Sequence, residues 1–339
     1  MSQIKNEQRP LVTFALLAYN QEVFIREAIE GALSQTYTPL EIILSDDCSN
    51  DRTFQEMQEM VDLYNGQHQV ILNRNEKNIG IASHVNEIFN MSNGEFIILA
   101  AGDDISTPQR TEIFYNYWIK FDKPSVLQSN YVDIDINGNL LQSLHNNNSG
   151  SEGINYIASN YRNLVEHVYN MQIKIVGCSA AYSRDVVEKF GPLNNDIIQE
   201  DNVFAFRGLL TNGILKIPEV LVKYRKHENN IYNKKYYNNT DSLTFEEREN
   251  EINYMRKRFY IPKIKSNIKD AEACIYFTNF REEKIKKIII ELKRQLKIME
   301  IKTEWIEKGF LGRITLLVQL AIKYGKLKDL KWGIRRLKL

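Results

Sequence analysis

Short apolar runs punctuate the first 135 residues: LVTFALLAY (11–19), LEIILS (40–45), QVILN (69–73), EFIILAA (95–101) and SVLQSNYVDI (125–134). Their length and their Val, Ile, Leu and Phe content predict strands. The segments between them, 22–35, 52–64, 81–91 and 108–120, predict helices. In the first, Phe24, Ala28, Ala32 and Leu33 fall along one side at near-helical spacing. Strands and helices that alternate across short loops imply right-handed βαβ units and a mainly parallel sheet covered on both faces. The expected fold class is therefore α/β, with a Rossmann-like sheet flanked by helices.

Beyond residue 135 the pattern changes. Asn137-Gly138 in DINGN (135–139) predicts a hairpin turn. HNNNSGSEG (145–153) reads as a polar loop, followed by a helix near 155–171 and a strand at GCSAAYS (177–183). QED (199–201) stands before a helix predicted over 202–212, with Asp201 in the N-cap position. From about 240 the chain becomes long helical segments. The expected division is 1–135 and 136–235 as two halves of one α/β domain, with 236–339 as a helical, basic C-terminal region.

Charge sharpens that last region. The whole chain has a net charge of only +1, which gives no argument for nucleic acid. Residues 281–339, however, hold 17 Lys and Arg against 7 Asp and Glu, and 308–339 hold 9 against 1. FLGRITLLVQLAIKYGKLKDLKWGIRRLKL (310–339) interleaves apolar and basic side chains, with Tyr324 and Trp332 among them. LLVQLAI is too short to cross a bilayer, and the segment suits either an anionic membrane interface or a helical contact with its own domain or a second subunit. The polar N-terminus lacks the apolar core of a signal peptide. Three widely spaced cysteines, Cys48, Cys178 and Cys274, suggest neither a disulfide framework nor a zinc site, and fit a reducing, cytoplasmic setting.

The candidate chemistry gathers at the carboxyl ends of the predicted strands, where open α/β sheets bind ligands. Those ends carry AYNQE (18–22), SDDCSNDRT (45–53), NRNEKNIG (73–80) and AAGDDIS (100–106). Two of the four hold an Asp pair, Asp46-Asp47 and Asp103-Asp104. One Asp could serve a capping turn before Thr107-Pro108, but adjacent carboxylates repel, and a hard divalent cation is what such a pair could hold. No Gly-rich basic loop follows the first strand, as a triphosphate-binding nucleotidyltransferase needs. No G-x-G-x-x-G follows any strand either, which argues against a dinucleotide enzyme.

VTFALLAYNQEVFIREAIEGALSQTYTPLEIILSDDCSNDRT (12–53) resembles the opening of the family 2 glycosyltransferases, and KNIGIASHVNEIFNMSNGEFIILAAGDDI (77–105) resembles their second block with its D-x-D-type motif, here GDD. QEDNVFAFRGL (199–209) is similar to the family's Glu-Asp motif and YRKHENN (224–230) to its Tyr-Arg-x-His element. The resemblance implies a GT-A fold and a metal-assisted, inverting transfer of a sugar from a nucleotide diphosphate, most often a UDP-sugar, to an acceptor hydroxyl of a glycan, lipid-linked glycan or glycoconjugate. It implies Asp104 as a ligand of Mn2+ or Mg2+, His227 as a further ligand of that metal or a contact of the diphosphate, and Asp103 near the ribose or bound to the metal through water. Ala18, Tyr19 and Asp47 would meet the base, and Arg225 the diphosphate. Asp201 would be the catalytic base, with Glu200 orienting the acceptor. Leu17-Ala18 departs from the small hydroxyl residue that many relatives carry in the first turn, which removes a side-chain contact to the base. Loss of the base or metal aspartate would instead mark a non-catalytic sugar-nucleotide sensor, and both are present.

Overall fold

The computed structural model describes residues 9–141, 153–170, 173–228, 230, 245–277, 280–308, 312–316 and 319. Most of the polar loop at 145–153, His145, and most of 308–339 lie outside these residues, including Tyr324 and Trp332. The described part forms two compact units: one of 1–195 with 200–227, the other of 196–199 with 228–339.

The first unit is built on one nine-stranded sheet. In chain order its opening elements are β1 (Val12–Ala18), α1 (Ile25–Leu33), β2 (Leu40–Asp46), α2 (Thr53–Asp62), β3 (Gln69–Arg74), α3 (Ile81–Met91) and β4 (Phe96–Ala101). There follow β5 (Ile105–Ser106), α4 (Arg110–Lys120), β6 (Val126–Ile134), β7 (Asn155–Ile157), α5 (Tyr161–Asn170), β8 (Ala180–Ser183), α6 (Asp185–Glu188), α7 (Glu200–Leu210) and β9 (Ile214–Arg225). The strand order is β3-β2-β1-β4-β8-β6-β9-β5, with β7 pairing β9. β3, β2, β1 and β4 run parallel, as do β6 and β9. β8 joins these two parallel blocks by antiparallel pairing on both sides.

β1, β2 and β4 are buried along nearly their whole length, as strands covered on both faces must be. Phe14, Leu16, Ile42, Leu44, Phe96 and Ile98 share a core with Ala28, Ile29, Met57, Phe114 and Trp118 from α1, α2 and α4. Trp118 stacks on Phe96 at 4.9 Å between ring centroids and donates its indole N–H to Ser183 Oγ at 2.8 Å. The chain moves outward from β1 to β2 and β3, then returns to place β4 on the other side of β1. The order therefore reverses between β1 and β4, which is where such sheets form a ligand crevice.

Several boundaries differ from expectation. The segment expected to begin a helix near 155 forms β7 first, its backbone bonds taken by β9, and the helix starts at Tyr161. GCS at 177–179 is a 3-10 turn and only 180–183 is strand. α4 begins at Arg110, two residues past the Thr107-Pro108 start, because Thr107 O accepts the Arg110 amide in a turn.

In the second unit α8 (Phe245–Met255) runs through a π-turn at Arg256–Tyr260 into α9 (Ile261–Cys274), which packs along α10 (Glu282–Glu307). Ile285, Ile288, Leu292 and Ile264 are buried there. Among the described residues no helix is long and apolar enough to cross a membrane.

Candidate active site

The turns after β1 and β2 are locked together. Asn20 and Cys48 adopt left-handed backbone conformations, φ 53° and 61°, so both strands reverse sharply at their carboxyl ends. Ser49 Oγ accepts the Asn20 amide at 2.8 Å, and Asn20 Oδ1 accepts the Asn50 amide at 2.9 Å. Asp46 is wholly buried and accepts the Ser49 amide and hydroxyl, so it shapes the turn. Asp51 accepts the amide of Thr53, the first residue of α2, at 2.9 Å.

Asp47 sits one layer further out. Its amide bonds to Ala18 O at 2.9 Å, and its carboxylate accepts Asn75 Nδ2 at 2.8 Å and the amides of Ile79 and Gly80 at 3.0 Å each. One side chain thus anchors the 75–80 loop beside the first turn. Ala18 is buried, whereas Tyr19 is 42% exposed at the strand end and available to a flat ligand.

Gly102 follows the last residue of β4, and its amide bonds to Leu17 O at 2.9 Å. A Cβ at this glycine would lie 2.5 Å from Gln21 Oε1 and 2.9 Å from Ala18 Cβ. Glycine therefore lets the two strand ends of the switch point close on each other. Asp103 and Asp104 follow and take different partners. Asp103 Oδ2 bonds to His227 Nε2 at 2.9 Å. Asp104 is 4% exposed, and its Oδ1 accepts the Arg225 amide at 2.8 Å. Its Oδ2 is buried with no N–H or O–H donor, and only the Cys178 thiol lies against the carboxyl. Burial, then the charge of Asp103, pushes the Asp104 carboxyl up to about 8. A buried carboxylate oxygen without an N–H or O–H donor is a position that a hard cation could complete.

Arg225, expected at the diphosphate, has another job. It is fully buried. Nε donates to Asp103 O at 2.9 Å, Nη1 to Ile136 O at 3.0 Å, and Nη2 to Glu27 Oε2 at 2.8 Å, with the guanidinium over the Phe24 ring at 4.9 Å. Donors so committed hold the Asp103-Asp104 turn from behind. His227, expected as a ligand beside Asp104, pairs with Asp103 and lies against Phe24 at 4.9 Å between ring centroids. Among the described residues no group of three or more His, Cys, Asp or Glu side chains gathers as a metal cluster. Asp104 with ligand oxygens is the set that could hold one.

The second acid pair reaches the same place through the 3-10 turn at Gly177–Ser179. A Cβ on Gly177 would lie 2.8 Å from Glu200 Oε1 and 3.7 Å from Asp201 Cβ, so the bare glycine lies directly against that pair. The next residue, Cys178, has its thiol against the Asp104 carboxyl; burial and then Asp104 push that thiol well above its ordinary range. Asp201 is 4% exposed and accepts the Asn202 amide at 2.7 Å. Burial and the charge of Asp201 push Glu200 up to about 8. Beneath them the Tyr182 hydroxyl is buried without a hydrogen-bond partner, and burial with Asp201 and Glu200 raises its pKa. Arg110 is also fully buried, and burial pushes its guanidinium down to about 10.

The sequence pointed to Asp47, Asp103 and Asp104 through adjacent carboxylates at strand ends, and to Glu200 and Asp201 through the resemblance to the family's Glu-Asp motif. It gave no sign of Arg110, Gly177, Cys178 or Tyr182. These are a helix residue, a glycine in an apparent strand, an isolated thiol and a strand tyrosine, and only the packing of distant segments assembles them. Of the histidines outside the motifs, His84 is buried against Ser45 Oγ at 2.7 Å and His68 against Gln35 O at 2.8 Å, both inside the fold.

Known proteins resemble this chain in sequence and in fold. An uncharacterized glycosyltransferase of Haemophilus influenzae is 24% identical over 310 residues, which is 84% of this chain and 86% of that one. The structure of S. aureus TarS 1-349 in complex with UDP-GlcNAc superposes with a TM-score of 0.55 at 17% identity, over 96% of this chain and 90% of that one. The mannosyltransferase PcManGT from Pyrobaculum calidifontis, in complex with GDP-Man and Mn2+, gives 0.50 at 14% identity, over 98% and 81%. The fold is thus GT-A: a mixed sheet flanked by helices, with a helical region after it. The family description "Glycosyl transferase family 2" matches residues 13–191, more than half of the chain, and the chain belongs to that glycosyltransferase family.

Proposed function

We propose that the protein transfers a sugar from a UDP-linked donor to a hydroxyl of a glycan, lipid-linked glycan or glycoconjugate, with inversion at the anomeric carbon. The observation that carries this reading is the meeting of two acid pairs across one turn: Gly177 lies on Glu200 and Asp201, and Cys178 on Asp104. A donor-binding carboxylate and a candidate base then share one crevice. The UDP-GlcNAc held by TarS and the Mn2+ held with GDP-Man by PcManGT support a nucleotide sugar and a divalent cation as ligands.

In this reading Tyr19 stacks on the nucleobase and Asp47 accepts its N–H, with Ala18 contributing backbone. Asp103, aligned by His227, meets the ribose. Asp104 holds Mn2+ or Mg2+, which when bound supplies positive charge against the leaving diphosphate. Asp201 takes the proton of the acceptor hydroxyl as its oxygen bonds to the anomeric carbon and the bond to the diphosphate breaks. One displacement inverts that centre. Glu200, holding its proton near neutral pH, donates a hydrogen bond that orients the acceptor. Arg225 keeps the Asp103-Asp104 turn in shape from within.

Release of UDP from a panel of UDP-sugars, with Mn2+ or Mg2+ added, tests the assignment. Asp201→Asn should lower turnover by about 100-fold or more, the scale of a lost general base, with donor binding retained. Asp104→Ala should weaken cation-dependent UDP binding measured by calorimetry. Parent-like turnover in both variants would remove the reading.

A further inference from the structure

The sheet parts along one seam. β4 and β8 pair through Phe96–Ser183, Ile97–Tyr182 and Ile98–Ala181, and the ladder stops there. Past that point β4 stays with β1, through Leu99–Ala15, Ala100–Leu16 and Ala101–Leu17, while β8 stays with β6 through Ala180–Gln128. The β4–β8 ladder ends at the edge where the acids gather, and the 177–179 turn that leads into β8 still lies beside β4. Asp103 and Asp104 continue one lip of the split, and the Gly177–Ser179 turn forms the other.

Leu99 and Ala180 would be the next pair in register, and their carbonyls accept from a single nitrogen instead. Arg110 Nη2 donates to Leu99 O at 2.8 Å and to Ala180 O at 3.3 Å, while Nη1 donates to Ser106 Oγ at 2.9 Å. The guanidinium is wholly buried, with the rings of Phe14 and Phe114 at 5.8 and 5.6 Å. Those three bonds go to neutral acceptors, and the one carboxyl that acts on the guanidinium is Asp104. Burying a cation that makes no ion-paired hydrogen bond is unfavourable compared with an apolar side chain of similar volume. An arginine here needs a reason beyond filling the core, and its place at the branch of the sheet supplies one.

We propose that Arg110 is a positioning residue of the active site: it spans the split between β4 and β8 and fixes the separation between Asp104 and the turn that backs Glu200 and Asp201. Its planar fork suits the task, because two nitrogens leave the guanidinium at a set angle and reach three acceptors at once. Lysine keeps the charge but ends in one nitrogen that cannot reproduce the fork. The catalytic consequence rests on the glycosyl-transfer reading, while the spanning role does not. Loosening the split should disturb the acids more than the nucleotide contacts on the β1 and β2 turns, so turnover should fall more than donor affinity.

The test uses Arg110→Lys, Arg110→Met and Ser106→Ala in the full chain. Alkylation of each cysteine by iodoacetamide is followed by peptide mass spectrometry, beside thermal unfolding and donor kinetics. Cys178 lies two residues from Ala180 and reports on the lip, while Cys48 and Cys274 serve as references. Both Arg110 variants should alkylate Cys178 at least about tenfold faster, the scale of one lost hydrogen bond to a charged group, with Cys48 and Cys274 unchanged. Ser106→Ala, which keeps the arginine and removes one partner, should give an intermediate rate and decides the question if the Arg110 variants do not fold. With an active donor, kcat should fall by about tenfold with little change in donor KM. A parent-like Cys178 rate in folded variants, full rescue by lysine, or an equal rise at all three cysteines would overturn the proposal. A parent protein inert toward every nucleotide sugar would defeat the glycosyl-transfer reading and leave the alkylation result standing.

Discussion

Glu200 shows how one residue's surroundings set a pH response. A free glutamate titrates near 4.5, and burial beside Asp201 pushes this one up to about 8. The folded protein therefore keeps a proton that the unfolded chain releases between those values. Stability from this group is complete below 4.5 and is lost as the pH rises through 8. The melting temperature of the cation-free protein should fall between pH 5 and 8, and Glu200→Gln, which cannot ionise, should show a shallower fall. An equal slope in the variant would remove the burial argument. Asp104 shifts in the same direction for the same first cause, so part of the slope should persist in Glu200→Gln. The positions of these residues were legible as carboxylates at element ends, and their proposed roles come from the family resemblance. Arg225 was not, because a sequence shows that an arginine is present but not whether its five N–H groups face ligand or carbonyls.

Elements are held in place by equally specific bonds. The Gln35 side chain, just past the end of α1, donates Nε2 to Gly31 O at 2.7 Å and to Thr107 O at 2.8 Å. Its Oε1 accepts the Thr111 amide at 2.9 Å and the Thr111 hydroxyl at 2.7 Å. One buried amide thus satisfies both the end of α1 and the start of α4, which follows the Asp103-Asp104 turn. Gln35→Leu fills the same space and strands those groups. It should cost about 1–3 kcal/mol, the penalty of buried polar groups left unpaired, read as a lower midpoint in urea with an unchanged slope. A midpoint equal to the parent's would show that the bonds are replaced. At this scale the first four strands and helices were legible, since strands buried on both faces read as continuous apolar runs. β5, β7 and the 3-10 turn at 177–179 were not. They are too short for periodicity to register, and their backbone bonds come from β9 or from local turns formed only once the sheet is closed.

Across the whole molecule the charge is unevenly spread. A net charge of +1 conceals a segment, 308–339, with nine basic residues against one acidic. All the proposed chemistry lies before residue 228, in the first unit. If the basic segment meets a membrane, donor turnover and surface attachment would fall on separate stretches of chain. Each basic residue near an anionic surface contributes about 1 kcal/mol at physiological ionic strength, and Trp332 and the interleaved leucines would add apolar contact at such an interface. Full-length protein should co-sediment with vesicles rich in phosphatidylserine, less so as salt shortens the screening length, and not with neutral phosphatidylcholine vesicles. A chain lacking 308–339, and a full chain with Lys331, Arg335 and Arg336 changed to Gln, should both bind the anionic vesicles more weakly. Their hydrolysis of donor in solution should match the parent's. Equal sedimentation of all three proteins would assign the basic segment to a protein contact, and the mass of the parent and truncated chains by light scattering would then show whether a second copy is that partner.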